Sequence, residues 1–444
     1  MDYKALAERL VQTCSKKGAD SAEVFIETGR DLSIDVRKGE IETVQEAASQ
    51  GIGFRVFTKG KMAFSSCNDF SDAATGSAIE SAVRFAQQMT ADPNNVLPDD
   101  KGVTAVDGLH DTKIGQIPME TKIQLAVTAE KVALKDARIT KSDGAGYSEG
   151  EAEIFIANSS GVSKSYKSSV CRLGVSVVAE KGEQKSSGGE SCSRRFFADL
   201  KTPDEIAAKA ARKAYELLDP RMVKTQRAAV LFDPDVAGAL LGGILAAVNG
   251  ERVLQGASFL GTLLNQKIAS ALLTIVDDGT RAKGLASCPF DGEGVPTQRR
   301  ILVSQGVLKG FMYNTIIARR AGVKSTGNAS RDGFTGVPGI GPHNLYVVAG
   351  TNSREEVIAA TRKGLLLTEV TGYGINPVNG DFSGGASGFW IEGGKIAFPV
   401  KGLTIAGRAD EMLNGIDMLG NDLDMNRGMA APTVRIREMQ IGGD

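Results

Sequence analysis

Glycine is distributed unevenly along this 444-residue chain, and the unevenness limits how the second half can fold. Of the 53 glycines, 35 lie between positions 221 and 444, where they interrupt short β-branched runs such as KIAFPV, LTIAG and TVRIREMQI. Glycine weakens helix interiors, and inside strands it marks bulges and close backbone approaches. Residues 221–444 are therefore predicted to form a β-rich domain of bulged, mostly antiparallel strands with long loops.

The first half has a different pattern of predicted secondary structure, in which helices alternate with strands. Residues 1–100 predict a helix, two strands, a β-meander and a second helix that begins behind Asp69 or Ser71. Residues 101–220 repeat this order in outline and end in a helix behind Thr202. We therefore expect an α+β protein with N-terminal helix/β-meander units at 1–100 and 101–220, followed by a β-rich, Gly-rich C-terminal domain at 221–444.

Charge, hydropathy and cysteine usage exclude several classes of protein. Lys and Arg number 52 against 53 Asp and Glu, a net charge of -1, and no basic tract could follow a nucleic-acid backbone. No run approaches the ~20 apolar residues that cross a bilayer, and the amphipathic N-terminus lacks a signal-type core. Five cysteines without CxxC pairing suit free thiols in a reducing compartment. We expect a cytoplasmic protein that binds neither nucleic acid nor membrane.

Histidine is scarce, which excludes most imidazole-based chemistry. The chain has two, His110 in a linker and His343 at the start of a strand, and they are more than 230 positions apart. Histidine is the commonest general base near neutral pH and a frequent zinc ligand. This scarcity excludes most His-based catalysis and most His-rich metal sites, and the sequence predicts a structural role for His343.

A polar, turn-rich block, KGLASCPFDGEGVPTQRR, is the first candidate site. It holds Asp291 and Glu293, then Arg299 and Arg300, and it includes Cys288 with no histidine nearby in sequence. One interpretation is an ordered loop in which the acids pair with the arginines. The other is a cleft wall that presents these charges and free backbone groups to a peptide.

A second block, TGYGINPVNGDFSGGASGFWIEGGKIAFPV, ends its run of small residues at the single tryptophan, Trp390. Gly384 and Gly385 allow another backbone to approach closely, and Asp381 precedes them. Two interpretations are again open: a bulged core strand, or a sheet edge that accepts an extended chain by strand addition. Both blocks are candidate peptide-binding segments.

A third block, LFDPDVAGALLGGILAAVNG, predicts a helix over Val236 to Val248 that holds no side chain able to do chemistry. Together with GIGFRVFTKGKMAFSSCNDF, ARRAGVKSTGNA and MLGNDLDMNRGMAAPTVRIREMQIGG, these blocks resemble the TldD/PmbA family, known as modulators of DNA gyrase and as subunits of a two-component metalloprotease. The resemblance covers nearly the whole chain. In the TldD branch this helix has an HExxxH motif, and a cysteine near the C-terminus completes the zinc site. Here the motif falls on Gly242 to Ala247, and the cysteine position falls near Ala430.

Because every expected ligand is a small residue, the chain resembles the PmbA branch, also called TldE. The resemblance implies a non-catalytic pseudoenzyme subunit that pairs with a TldD-type HExxxH subunit and helps form a chamber for unfolded or extended peptides. Zinc is then expected in the partner, with no cofactor in this chain, and homodimers in the partner's absence are left open. Two alternatives remain: a metal-independent peptidase using Cys288 or the pair Asp381 and Ser383, and a stand-alone regulatory binder of gyrase.

Overall fold

The computed structural model describes residues 1–372 and 374–444, so position 373, inside the second Gly-rich block, lies outside the described residues. The helices are α1 Tyr3–Lys16, α2 Asp72–Gln88, α3 Met119–Ala133, α4 Pro203–Glu216, α5 Pro234–Ala247, α6 Gly250–Leu254, α7 Thr315–Arg320, α8 Arg354–Ala359 and α9 Ala409–Asn414. Short 3-10 turns lie at Ile114–Gln116, Phe197–Asp199 and Gly333–Thr335. Within the described ranges, every helix is too short or too polar to cross a bilayer.

The strands fall into an N-terminal and a C-terminal group. The N-terminal strands are β1 Ser21–Arg37, β2 Glu40–Thr58, β3 Lys61–Cys67, β4 Ile139–Asn158, β5 Ser163–Lys181 and β6 Gln184–Arg194. The C-terminal strands are β7 Gln226–Phe232, β8 Ile275–Asp278, β9 Arg299–Ser304, β10 Val307–Leu308, β11 Ala329–Ser330, β12 Gly339–Ile340, β13 Asn344–Val347, β14 Lys363–Thr371, β15 Asp381–Glu392, β16 Lys395–Arg408, β17 Ile416–Leu419, β18 Met429–Ala430 and β19 Val434–Gly442.

The two N-terminal units share one continuous sheet in the order β3-β2-β1-β4-β5-β6. Strands β1 to β3 come from residues 1–100 and β4 to β6 from residues 101–220, and the units meet where β1 pairs antiparallel with β4. Helices α1 and α2 pack against the first unit, and α3 and α4 against the second. Each unit has its own apolar core between the helices and one face of the sheet.

The helix starts follow from local capping chemistry. The Ser71 hydroxyl accepts from the Ala74 N–H at 3.3 Å, so Ser71, one of the two predicted residues, caps α2. Thr202 caps α4 in a reciprocal box with Glu205, in which each side chain binds the other residue's backbone N–H. These caps satisfy N–H groups that have no partner inside the helix, which confirms the predicted starts.

The C-terminal domain contains two large sheets around one large core, and a short two-stranded sheet of β11 and β12. One sheet has the order β10-β9-β8-β13-β18, and the other has the order β16-β15-β14-β7-β19-β17. In the second sheet β16 also pairs with β19, so β7, β14, β15, β16 and β19 close into a small barrel. Most pairings are antiparallel, with bulges in β14, β15 and β19. The predicted α+β class and the β-rich, bulged C-terminal domain are confirmed.

Candidate functional site

Helix α5 lies where the resemblance places a zinc-binding helix. It begins two residues earlier than predicted because Asp233 accepts from the Asp235 N–H at 3.1 Å and Pro234 occupies the first turn. Glycines bring it against β18, since a Cβ built on Gly238 would lie 2.7 Å from the Met429 carbonyl oxygen. The backbones of the helix and the strand are therefore packed directly against each other.

The positions to which the resemblance assigns zinc ligands lie on this helix and strand, and their side chains here have no donor atoms. Gly242 faces the Met429 side chain, with 3.9 Å from a built Cβ to Met429 Cε, while Gly243 and Ala247 are buried. Ala430 is also buried, in β18. In the described part of the chain, no three His, Cys, Asp or Glu side chains converge as a metal site. These residues do not fit a zinc ion.

A cavity of about 950 Å³ opens beside the start of α5, between the N-terminal sheet and the loop that precedes β18. Its sheet wall includes the charged side chains of Asp35, Arg37 and Arg172 and many small residues at alternate strand positions: Ser33, Gly144, Gly146, Ser148, Gly174, Ser176, Gly189, Ser191 and Ser193. The intervening residues point to the helix-covered core, since side chains alternate between the faces of a sheet. The result is a polar surface on which an extended backbone could lie close to the strands.

Charged side chains form the opposite wall of this cavity. Asp235 lies 2.6 Å from Lys213 Nζ and also contacts Arg427 and Lys209. Burial opposes ionisation of this carboxyl, but the hydrogen bond and charge of Lys213, with the other cations, hold the pKa of Asp235 down to about 2. This cluster joins α4 of the second unit to the start of α5. The cavity was not predicted, although alternating Ser and Gly in KSDGAGYSEG and QKSSGGESCSR indicate a strand face of small residues.

The first candidate block is largely buried, and its acids do not pair with its arginines, so that expectation was wrong. Glu293 is 0% exposed and lies 2.7 Å from Arg55 of β2, whose guanidinium also lies 2.7 Å from Glu23. Arg331 contacts Glu23 as well. The closeness of the acids and arginines in sequence suggested that they pair with each other. The loop instead enters the interface between the N-terminal sheet and the C-terminal domain, where Glu293 pairs with Arg55.

Asp291 organises the same loop through backbone donors. Its carboxylate accepts from the N–H groups of Glu293, Val295 and Ala329, each at 2.9 Å. Burial, and then the nearby Glu293 charge, raise the pKa of Asp291 to about 7, against the effect of those three donors. Glu293 therefore joins the N-terminal sheet to the C-terminal domain, whereas Asp291 fixes the loop and lines a cavity of about 240 Å³. Contact of these two acids with a peptide stays a prediction.

The two arginines of the block lie on β9, closer to solvent. Arg299 is 3.9 Å from Asp278, and its side chain is 49% exposed. Arg300 is half-buried and donates to the Thr326 carbonyl at 3.0 Å. Burial lowers the pKa of Arg300. Peptide contact by these two residues stays a prediction.

The second candidate block forms β15, which is not a sheet edge, so the strand-addition hypothesis for it was wrong. β14 pairs along one side of β15 and β16 along the other, because the barrel is closed. Trp390 is 1% exposed in the C-terminal core. Gly384 and Gly385 allow β14 to approach, with built Cβ atoms 2.7 Å from the Thr371 carbonyl oxygen and 2.5 Å from Thr371 Oγ1 respectively. The close approach predicted for these glycines is internal to the sheet.

Asp381 and Ser383 lie exposed at the start of β15. Asp381 accepts from the Asn379 side chain at 2.7 Å and is 3.6 Å from Arg408. Residues two apart on one strand are separated by about 6.6 Å along it, beyond the reach of a direct hydrogen bond. The pair therefore lacks the geometry of a nucleophile and its base.

His343 and Cys288 meet in space, a contact that was not predicted from their sequence neighbourhoods. Nδ1 of His343 is 3.8 Å from Cys288 Sγ, and its Nε2 is 2.7 Å from the Gly327 carbonyl oxygen. Burial opposes the charged ring, but the Cys288 contact, Asp277 and Gly327 raise the pKa of His343 to about 10. His110, assigned no role from sequence, lies 2.8 Å from Glu151 on β4.

Comparison with known proteins identifies the fold and the family. Three domain models of the PmbA/TldA metallopeptidase family match: domain 1 at residues 22–90, the central domain at 112–218 and the C-terminal domain at 225–443. The chain is 32% identical to the metalloprotease PmbA of Escherichia coli O157:H7, over 96% of this chain and 93% of that protein. It is 26% identical to a metalloprotease TldD homologue of Haemophilus influenzae, over 97% and 94% of the two chains.

Solved structures agree with these matches. A protein of Bacteroides thetaiotaomicron that bears the name modulator of DNA gyrase superposes with a TM-score of 0.92 at 27% identity, over 100% of both chains. TldE of Thermococcus kodakarensis shares the fold, with a TM-score of 0.91 at 24% identity over 99% of this chain and 100% of that one. Domain matches, full-length relatives and fold agree, and the chain therefore belongs to the PmbA/TldA metallopeptidase family.

Proposed function

We propose that this chain is the zinc-free, PmbA/TldE-type subunit of a two-component metalloprotease. The observation that carries the proposal is the contact between α5 and β18, the two elements to which the resemblance assigns the zinc ligands, where Gly242, Ala247 and Ala430 stand at the ligand positions and Gly243 at the position of the general base. A TldD-type subunit with HExxxH supplies the zinc and its chemistry. Greater identity to PmbA than to the TldD homologue, 32% against 26%, supports the assignment to this branch.

The 950 Å³ cavity is the part of this chain that we propose holds peptide. Its volume lies at the upper end of the ~300–1,000 Å³ typical of ligand sites, which leaves room for a short extended segment. The Gly and Ser wall offers no deep apolar pockets, so binding would depend on the peptide backbone and little on side-chain identity. Such a chamber suits unfolded or extended substrates of varied sequence.

Strand β2 supports association with another chain. Residues 40–50 pair with β1 on one side, have no second neighbouring strand in the described part of the chain, and are all exposed. Ile41 and Val44 are 51% and 45% exposed on this edge. A long, unpaired strand edge with apolar side chains can pair with the strand of another chain unless a partner covers it. We propose that the TldD-type subunit covers it, and that Val44→Lys, unlike Val103→Lys in the linker, weakens co-purification of the two subunits.

A variant inside the cavity tests the chamber directly. Ser176→Trp places a large ring on the cavity wall of β5, whereas Ser165→Trp alters an exposed serine of the same strand outside the cavity. In the assembled complex we expect Ser176→Trp to raise KM for an unfolded protein substrate several-fold, with Ser165→Trp unchanged. Equal turnover by both variants, with subunit association intact, would remove the cavity from peptide binding.

A further inference from the structure

Cys288 and His343 lie 55 positions apart in sequence and meet beside a cavity of about 240 Å³. This cavity is distinct from the one at α5. Its walls come from both sides of the domain interface, with Phe25, Ile154 and Tyr166 from the N-terminal sheet and Phe290 from the loop after Cys288. The Cys288 side chain is partly exposed and lines the cavity, so a small molecule can reach its sulfur.

The histidine ring is fixed in the orientation that a base requires. A carbonyl oxygen only accepts, so Nε2, at 2.7 Å from the Gly327 oxygen, bears a proton and donates it. Nδ1 then faces Cys288 Sγ at 3.8 Å and can take the thiol proton. The His343 backbone N–H donates to Asp277 at 2.7 Å, which anchors the residue. A nucleophile beside a base that is itself oriented by further contacts is the arrangement that activates thiols.

A buried cation lies near the same sulfur. Arg195 is 7% exposed, and its guanidinium donates only to backbone carbonyls, those of Ser169, Gly284, Leu285 and Ser287. Within the described ranges no carboxylate pairs with it. Its charge interacts with Cys288 and Tyr166. An uncompensated positive charge in a low-dielectric site favours a neighbouring anion, here the sulfur after proton transfer.

From this geometry we propose that Cys288 and His343 form a reactive-thiol site that exchanges with low-molecular-weight disulfides. The cavity is smaller than the ~300–1,000 Å³ of sites for drug-sized ligands, so the disulfide must have small substituents. The Cys288 thiolate attacks one sulfur of the disulfide, an S–S bond to Cys288 forms, and the original S–S bond breaks. The leaving sulfur takes the electron pair and receives the proton from His343. Cys288 is thereby oxidised, and half of the small disulfide is reduced and released as a thiol.

The test uses the full-length chain with cystamine as the probe. Purified protein is incubated with cystamine at pH 7, and adducts are followed by intact mass and peptide mapping. A free cysteine is only a few per cent thiolate at that pH, so a base that removes the proton should make Cys288 react about tenfold faster than N-acetylcysteine. We expect one half-cystamine per chain, on Cys288, removable by reductant. Reaction no faster than that of N-acetylcysteine, or modification of Cys67 first, would overturn the proposal.

A variant separates activation by His343 from simple access. His343→Gln keeps an amide that can donate to Gly327 but removes the base, and we expect the rate at Cys288 to fall at least fivefold. Near-ultraviolet circular dichroism establishes that this variant is folded, and an unchanged rate in the folded variant would refute the role of the imidazole. If the variant does not fold, the wild-type comparison with N-acetylcysteine decides the proposal alone.

Discussion

Removal of the Arg55 guanidinium should destabilise the junction between the N-terminal sheet and the C-terminal domain. Arg55 and its partners Glu23 and Glu293 are at most 1% exposed, and both contacts are 2.7 Å. In Arg55→Met, Glu23 keeps Arg331, but Glu293 keeps only its bond from the Thr315 N–H at 2.8 Å. Breaking one side of a buried ion pair typically costs about 3–5 kcal/mol, because it leaves a buried charge uncompensated.

This loss converts into a measurable shift of the melting temperature. Unfolding entropy near 60 °C is about 2.1 cal/mol/K per residue, so a chain of 444 residues that unfolds as one unit changes by about 0.9 kcal/mol/K. The Arg55→Met variant should then melt about 3–5 °C below the wild type in differential scanning calorimetry. Arg9→Met is the matched control, since Arg9 and its partner Asp72 are 56% and 81% exposed. An exposed pair is worth at most about 1 kcal/mol, which corresponds to about 1 °C.

A double variant tests whether the loss comes from the ion pair. Arg55→Met with Glu293→Gln removes both charges and retains an oxygen for the Thr315 N–H. We expect it to recover at least half of the loss seen in Arg55→Met, because no uncompensated charge remains. An Arg55→Met protein that melts within 1 °C of the wild type, or a double variant that shows the sum of the two single losses, would refute the reasoning.

Three further changes probe individual contacts. Because the folded pKa of Asp291 is above its unfolded value, its contribution to stability is present at low pH and is lost as pH rises through about 7. Urea unfolding should therefore show wild type losing about 2 kcal/mol relative to Asp291→Asn between pH 5 and pH 7, and parallel curves would contradict this. In urea titrations, Gly238→Ala should lower the free energy of unfolding by about 1–3 kcal/mol, because the added Cβ clashes with β18. The control Gly76→Ala, at an open position of α2, should raise it by about 0.5–1 kcal/mol. Equal effects of the two substitutions would contradict the packing argument. Gly385→Val should lower the melting temperature, because the new side chain clashes with Thr371 Oγ1, and adding Thr371→Ala should restore it. A Gly385→Val protein that loses activity without being destabilised would instead indicate that Gly385 contacts the peptide.

Elements whose signals are local could be predicted from the sequence. Thr202 with Glu205 specifies the start of α4 within one turn of chain, and the helix begins there. Asp233 with Pro234 is an equally local signal for α5, but the predicted start at Val236 did not use it. The bulged C-terminal strands could also be predicted, because glycine between β-branched residues is a local signal. The backbone freedom of glycine and the strand preference of β-branched residues do not depend on distant contacts. The small and apolar residues at Gly242 to Ala247 are read directly from the sequence, and the absence of zinc from this chain stays a prediction.

The contacts that define the sites are long-range and could not be predicted. Arg55 and Glu293 are 238 positions apart, and Cys288 and His343 are 55 apart, so nothing in either neighbourhood identifies the partner. The small residues before Trp390 are compatible with an edge strand or a doubly paired one. Only the sheet order, closed by β16 against β19, decides between them. The alternating Ser and Gly of β4 to β6 were visible in sequence, but the opposing wall of the cavity comes from another domain.

Zinc content and peptide hydrolysis, measured on the same samples, test the two-subunit account most directly. The chain alone, a TldD-type HExxxH subunit alone, and their purified complex are dialysed, analysed for zinc, and incubated with an unfolded protein substrate. We predict that zinc remains with the TldD-type subunit and that hydrolysis by the complex exceeds the sum of the two separate subunits. One zinc per chain retained by this protein alone, together with hydrolysis in the absence of the partner, would contradict the account.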